Sequence, residues 1–190
     1  MLRKMGRWEP NAGDRLREAA LELFHEQGYD RTTVEEIAAR AGLTERTFFR
    51  YYTDKREVLF AGAAALQESI VASIKAAPAS TTPLDAAVAA FAGTSEMFEA
   101  RRALARKRHE LILAHRELQE RELIKLASLG AAIAATVHGR GIGRPAASLI
   151  GDTAMAIFMN AFVRWVTDTK KHDLAHHMRA TYADLRLATA

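Results

Sequence analysis

The chain has 190 residues, 27 Lys and Arg against 23 Asp and Glu, a hydrophobic fraction of 49% and no cysteine. That size suits one domain or a small domain joined to a larger one, and the hydrophobic fraction belongs to a folded globular protein rather than a disordered chain. Lack of cysteine excludes disulfides, thiolate metal sites and cysteine nucleophiles, so any catalytic or metal reading rests on His, Asp, Glu and Ser.

In chain order the pattern is helical throughout. Alanine is abundant, glycine and proline are sparse, and apolar residues recur every three or four positions. A first helix is expected from Asp14, a good cap, to Gln27, with Leu16, Ala20, Leu23 and Phe24 on one face and Gly28 ending it. A second starts near Thr33, turns Val34, Ile37, Ala38 and Ala41 inward, and stops at Gly42. The third opens at Thr44 and runs through Tyr52. Asp54 then caps a long helix reaching Ala77, where PASTTP (78–83) breaks the pattern. Further helices are expected from Leu84 to Ala100, Arg101 to His115, Arg116 to His138, 146 to 168 and 173 to 188, about nine in all. The helix 146–168 is apolar nearly all round, which predicts burial on more than one side and points to an oligomer interface.

Residues 34–52, VEEIAARAGLTERTFFRYY, have the layout of a helix-turn-helix. Ala38 leaves room for two helices to cross closely, Gly42 supplies the positive φ of a short turn, and Leu43 and Phe48 anchor the second helix. Such a helix can protrude into a DNA major groove. Bulk charge does not argue for DNA, since residues 1–60 carry 11 basic and 11 acidic side chains. Placement does, because Arg46, Arg50, Lys55 and Arg56 cluster against only Glu45 and Asp54.

The run Phe24-His25-Glu26-Gln27-Gly28-Tyr29-Asp30-Arg31-Thr32-Thr33, followed by IAxxAGLT, TFFRYY and DKREVL, resembles the N-terminal signature of the TetR (tetracycline repressor) family across residues 14 to 60. The resemblance implies an all-α fold: a three-helix DNA-binding domain over 1–54 and a helical ligand-binding and dimerisation bundle over 55–190. It implies that Arg46 and Tyr51 reach base edges, that Thr33, Thr44, Thr47 and Lys55 hold phosphates, and that Arg50 shares the same surface. Phe49 departs from the tyrosine common in the family, leaving a thymine methyl or the sugar backbone as its contact. The implied protein is a homodimer that binds a near-palindromic operator in double-stranded DNA and is released by a small-molecule effector, apolar or acyl-like. Its lever would be the long helix starting at Lys55. No cofactor is expected.

For the effector, Phe91, Met97, Phe98, Met155, Phe158, Met159, Phe162 and Trp165 supply adaptable apolar surface. From this set Phe91, Phe98, Met155, Met159 and Phe162 are taken as pocket candidates, with Ser95 and His109 as polar anchors, against the alternative that all are core. Arg101, Arg102, Arg106, Lys107 and Arg108 form a basic run read as exposed helix rather than an anion site. His172 and His176, at i and i+4, could share a metal with Asp168 or Asp173, but a solvated helix start is preferred and no metal is expected. Gly139, Gly141 and Gly143 form a turn, lacking the Lys-Ser/Thr of a phosphate loop. The basic tail Arg3-Lys4-Met5-Gly6-Arg7 is either a minor-groove arm or a disordered terminus.

No run reaches the roughly 18 uncharged apolar residues of a membrane span, and no apolar stretch follows the basic start, so a cytoplasmic protein with no membrane partner is expected. The competing reading is an all-helical enzyme or cofactor-binding bundle. Against it, no triad, paired catalytic carboxylates or Glu-x-x-His pair is visible, and the expectation is a regulator rather than an enzyme.

Overall fold

A computed structural model describes residues 12–189, so the basic tail at Arg3, Lys4 and Arg7 lies outside the described residues. Among those described there are ten α-helices, one 3-10 turn and no strand, and the contacts divide the chain into a first unit ending at Ala61 and a second beginning at Gly62.

The first unit holds α1 (Ala12–Gln27), α2 (Val34–Arg40), α3 (Glu45–Tyr51) and the 3-10 turn Glu57–Phe60. Leu16, Ala20, Leu23 and Phe24 of α1 are buried with Ile37 and Ala38 of α2 and Phe48 of α3. Thr33 caps α2 through a reciprocal box: its hydroxyl accepts the Glu36 amide, and the Glu36 carboxylate accepts the Thr33 amide at 2.8 Å. That backbone amide is the first reason the Glu36 carboxyl is held below the usual range. At the other end of α2, Gly42 takes φ +66, the Leu43 amide returns to the Ala38 carbonyl at 2.8 Å and the Gly42 amide to Ala39 at 2.9 Å. This paired closure satisfies carbonyls that a helix end would leave open, and it requires the left-handed residue that glycine provides.

Two expected helices are interrupted. The helix predicted from Asp54 to Ala77 begins as a 3-10 turn, leaves helical geometry at Ala61 (ψ 134), passes Gly62 at φ +89, and only then forms α4 (Ala63–Ala76). Val58, Leu59 and Phe60 are all buried and their turn packs on α1. Three consecutive residues cannot share one stripe of an α-helix, so the tighter turn buries what a continuous helix would expose. The expected lever, one unbroken helix from Lys55, is absent.

The second interruption splits the helix expected over 84–100 into α5 (Pro83–Ala92) and α6 (Ser95–Glu99). Thr94 turns both its amide (3.0 Å) and its hydroxyl (2.7 Å) back onto the Phe91 carbonyl, which closes α5. Then come α7 (Arg102–Ala114), α8 (Arg116–Gly139), α9 (Arg144–Thr167) and α10 (Leu174–Ala188). The core of this unit gathers Ile70 and Ile74, Phe91, Leu129, Ile133 and Val137, Phe158 and Trp165, and Leu174 and Met178.

α8 and α9 cross at two glycines. A Cβ on Gly151 would stand 2.6 Å from the Gly130 carbonyl oxygen and 3.1 Å from the Ala134 Cβ, so the backbones meet with no side chain between them. α9 is buried on the face of Ala147, Ala154, Phe158, Ala161 and Trp165, but Leu149, Met159 and Val163 stand exposed along the opposite side. Both α9 and the stretch Glu57–Ala76 have the length and apolar composition of a membrane span, which a count of uncharged residues overlooks because charges interrupt each of them. Packing of α9 against α8 and α10 within the unit accounts for its buried face only, and leaves the stripe of Leu149, Met159 and Val163 uncovered.

Candidate nucleic-acid interface

Everything about α3 sets one anchored face against one free face. Phe48 is fully buried, its ring 5.5 Å from Phe49 and 5.6 Å from Tyr52, and the Tyr52 hydroxyl donates to the Gly13 carbonyl at 3.0 Å. Burial raises the Tyr52 phenol above its ordinary value, so it stays a neutral donor. Arg15 donates to the Ala41 carbonyl and fixes the turn in front of α3. Thr44 caps the helix, its hydroxyl accepting the Thr47 amide at 3.3 Å and lying 3.1 Å from the Thr47 hydroxyl.

On the free face Arg46, Phe49, Arg50 and Tyr51 are exposed, Phe49 at 54% and Tyr51 at 41%. Among the described residues the Arg46 guanidinium has no hydrogen-bond or ion-pair partner, while that of Arg50 lies 5.2 Å from the Tyr51 ring centre. Arg46, Thr47, Phe49 and Arg50 line a surface hollow of about 440 Å³. Exposed aromatics and a solvated guanidinium contribute little to the stability of the unit itself.

The other predicted DNA contacts are engaged differently. Thr33 serves α2 as its cap. Lys55 donates to the carbonyls of Tyr29 (2.8 Å), Asp30 (3.2 Å) and Thr32 (3.0 Å), committing all three ammonium hydrogens inside the unit. It braces the α1–α2 loop in this structure, where the sequence points to a phosphate contact. Nearby, Asp54 accepts the amides of Arg56 and Glu57, and the hydrogen-bonded Arg56 side chain is the leading cause of its lowered carboxyl.

In the second unit the aromatic candidates converge only in part. Phe91 stacks on Phe158 at 4.5 Å, Phe98 meets Phe158, Phe162 and Trp165 at 5.8–6.1 Å, and the His109 ring is 5.7 Å from Phe162. Ser95 is not a free anchor, because its hydroxyl accepts the Ala175 amide at 3.1 Å at the start of α10. Met155 faces the α8 crossing, its Cγ 3.2 Å from where a Gly130 Cβ would be, and Met159 is exposed on the far side of α9. The basic run is only partly exposed: Arg102 donates to the carbonyls of Trp165 and His172 and Arg106 to that of Val166, so both cap the C-terminus of α9 where the helix dipole favours cations. Glu99 accepts from the Trp165 indole and from the Leu174 amide, tying α6 to α9 and α10. The sequence shows Arg102 only as part of a basic run and does not single out Glu99, because the α9 and α10 groups they bind lie more than sixty residues away.

An anchored, capped turn displaying an unpaired arginine and two aromatics on a short second helix defines a helix-turn-helix DNA-binding protein. Residues 16–61 match the model of bacterial regulatory proteins of the tetR family, and residues 81–189 match that of the MftR C-terminal domain. The chain belongs to the TetR family of transcriptional regulators. It is 44% identical over 78 residues to the regulator TcmR of Streptomyces glaucescens, a match spanning 41% of this chain and 34% of TcmR. It is 28% identical over 171 residues to MftR of Mycobacterium tuberculosis, a regulator assigned to mycofactocin biosynthesis, covering 87% of this chain and 85% of that one. Thermus thermophilus FadR, a TetR-family repressor solved with lauroyl-CoA, has the same fold at a TM-score of 0.57 and 24% identity, over 90% of this chain and 91% of FadR.

Proposed function

We propose that this chain is a homodimeric, cytoplasmic repressor that reads a near-palindromic operator through α3 and leaves it when the second unit takes up an apolar or acyl-like small molecule. The observation that carries the DNA reading is the free face of α3, where Arg46 has no partner among the described residues and stands beside exposed Phe49 and Tyr51. Arginine can donate two parallel hydrogen bonds to a guanine, worth about 1–3 kcal/mol of discrimination. Thr44 and Thr47 supply hydroxyls at the helix start, suited to phosphate, and Arg50 adds charge.

The dimer reading rests on the outward stripe of α9, where Leu149, Met159 and Val163 lie exposed on the helix already packed against α8 and α10. Such a face suits isologous pairing, and a dimer on a near-palindromic operator reads two half-sites roughly 34 Å apart. The effector reading is supported by the ring network of Phe91, Phe98, Phe158, Phe162 and Trp165 with His109 at its edge, and by the lauroyl-CoA held in the related fold of FadR.

The test is capture of sheared genomic DNA by the purified chain and by Arg46→Ala at moderate salt, with sequencing of what is retained. A short palindrome enriched by the wild type and lost in the variant is the expected result. Equal, sequence-indifferent retention by both proteins overturns the reading.

A further inference from the structure

Asp168 ends α9, and the chain takes five residues to reach α10, passing Lys171 in a left-handed conformation at φ +61. This tight junction folds His172 back onto the Asp168 carboxylate, while His177 arrives from the first turn of α10. The Asp168 Oδ2 lies 2.9 Å from His172 Nδ1 and 3.1 Å from His177 Nε2, and the three atoms all lie within 4.8 Å of one another. The sequence pairing of His172 with His176 is replaced: the His176 ring stacks on His172 at 4.3 Å, outside the cluster of donor atoms.

We propose that Asp168, His172 and His177 form a binding site for one divalent transition-metal ion of the zinc class. Tetrahedral N and O ligands bonded to an ion at about 2.0–2.2 Å stand about 3.3–3.6 Å apart, so the contacts of 2.9 and 3.1 Å around Oδ2 need to open by only about half an ångström to admit one. Two imidazoles and one carboxylate, in a chain with no thiol, suit Zn²⁺, Co²⁺ or Ni²⁺ and not the all-oxygen shells of Mg²⁺ or Ca²⁺. The carboxylate is already oriented, its Oδ1 accepting the Lys170 amide at 2.7 Å and its Oδ2 the His172 amide at 3.0 Å. Backbone hydrogen bonds of this kind orient a carboxylate ligand and help to fix a metal site's geometry.

Access is one-sided. The side chains of Asp168 and His177 are 11% and 12% exposed, whereas His172 is 43% exposed, leaving an open side for entry and for a water as fourth ligand. The backbone behind the cluster is held from α7, with Arg102 donating to the carbonyls of Asp168 at 3.2 Å and His172 at 3.1 Å. A bound ion would cross-link α9 to α10 one turn beyond Trp165, at the edge of the aromatic network.

The experiment is isothermal titration of the tag-free full chain, stripped with EDTA, with zinc chloride, and cobalt spectroscopy on the same protein. One equivalent of zinc per chain, visible cobalt bands, and a rise in Tm of about 5 °C at saturating zinc are expected. Affinity should fall at least tenfold in Asp168→Asn and in His172→Gln and stay unchanged in His176→Gln. His172 is exposed, so its variant keeps the fold and reports on binding alone. No stoichiometric binding by the wild type, or equal binding by folded His172→Gln, overturns the proposal and leaves the cluster a hydrogen-bonded helix junction.

Discussion

Lys55 sits with its ammonium 4.4 Å from the centre of the Tyr29 ring and 2.8 Å from the Tyr29 carbonyl oxygen, so one side chain closes the α1–α2 loop by both cation–π attraction and hydrogen bonding. Its charge is spent on three carbonyls of the same loop. Lys55→Met is expected to lower stability of the first unit by about 1–2 kcal/mol, since charged hydrogen bonds are strong but these are partly solvated. The slope of DNA affinity against salt should not change, because no phosphate contact is removed. Thermal melts and salt titrations of the variant separate the two effects; a slope shallower by about one would restore Lys55 as a phosphate contact.

Gly151 tests the helix crossing. Alanine there gains about 1 kcal/mol of helix propensity but places a methyl 2.6 Å from the backbone oxygen of Gly130, which cannot rotate away. Overpacking of about 1–3 kcal/mol opposes that gain, and net destabilisation of up to about 2 kcal/mol is expected by urea unfolding. Gly139→Ala, at the open end of α8 with nothing within 4 Å, is the control and should be neutral or slightly stabilising.

Asp85 and Tyr182 join α5 to α10 through a 2.8 Å hydrogen bond. The Thr82 hydroxyl first, and then that of Tyr182, hold the Asp85 carboxyl below its usual range, while burial and then Asp85 itself raise the Tyr182 phenol. For Asp85 the stabilisation is present above the unfolded carboxyl value of about 3.9 and is lost as pH falls through the depressed folded one. For Tyr182 it is complete below about 10 and is lost as pH rises through the raised folded value. Tyr182→Phe should cost about 1 kcal/mol at pH 7 and weaken both limbs of a stability-versus-pH curve. Identical curves for variant and wild type would remove the pair from the account of stability.

The outward stripe of α9 bears on assembly. Val163→Glu puts a charge among exposed apolar residues of a proposed subunit contact, and sedimentation should show monomers with the helix content retained. A dimer that persists with Val163→Glu and with Leu149→Glu would place the contact elsewhere.

Local chemistry made the first unit legible in the sequence. The cap at Thr33, the glycine stop at Gly42 and the buried spacing of Leu16, Ala20, Ile37 and Phe48 each depend on residues within a turn or two. What escaped was decided at longer range. Periodicity sees that residues 57–76 are apolar, but not that Val58, Leu59 and Phe60 are buried together in a 3-10 turn. Likewise, nothing in the spacing says that Lys55 finds the carbonyls of residues 29 to 32, that Ser95 reaches Ala175, or that His177 rather than His176 meets Asp168. The exposed surface of α3 was visible as a motif, because a helix that must protrude declares its anchors and leaves the rest polar or aromatic.

Gly62 has a consequence for how such a chain can vary. In an unbroken helix each inserted residue rotates everything after it by about 100°, turning a buried face toward water. Between Ala61, which has left the helix, and Ala63, which starts the next, an added residue changes the path of the connection without re-phasing Ile70 and Ile74. The junction is thus a place where the connection can change length while the helices on either side keep their own register.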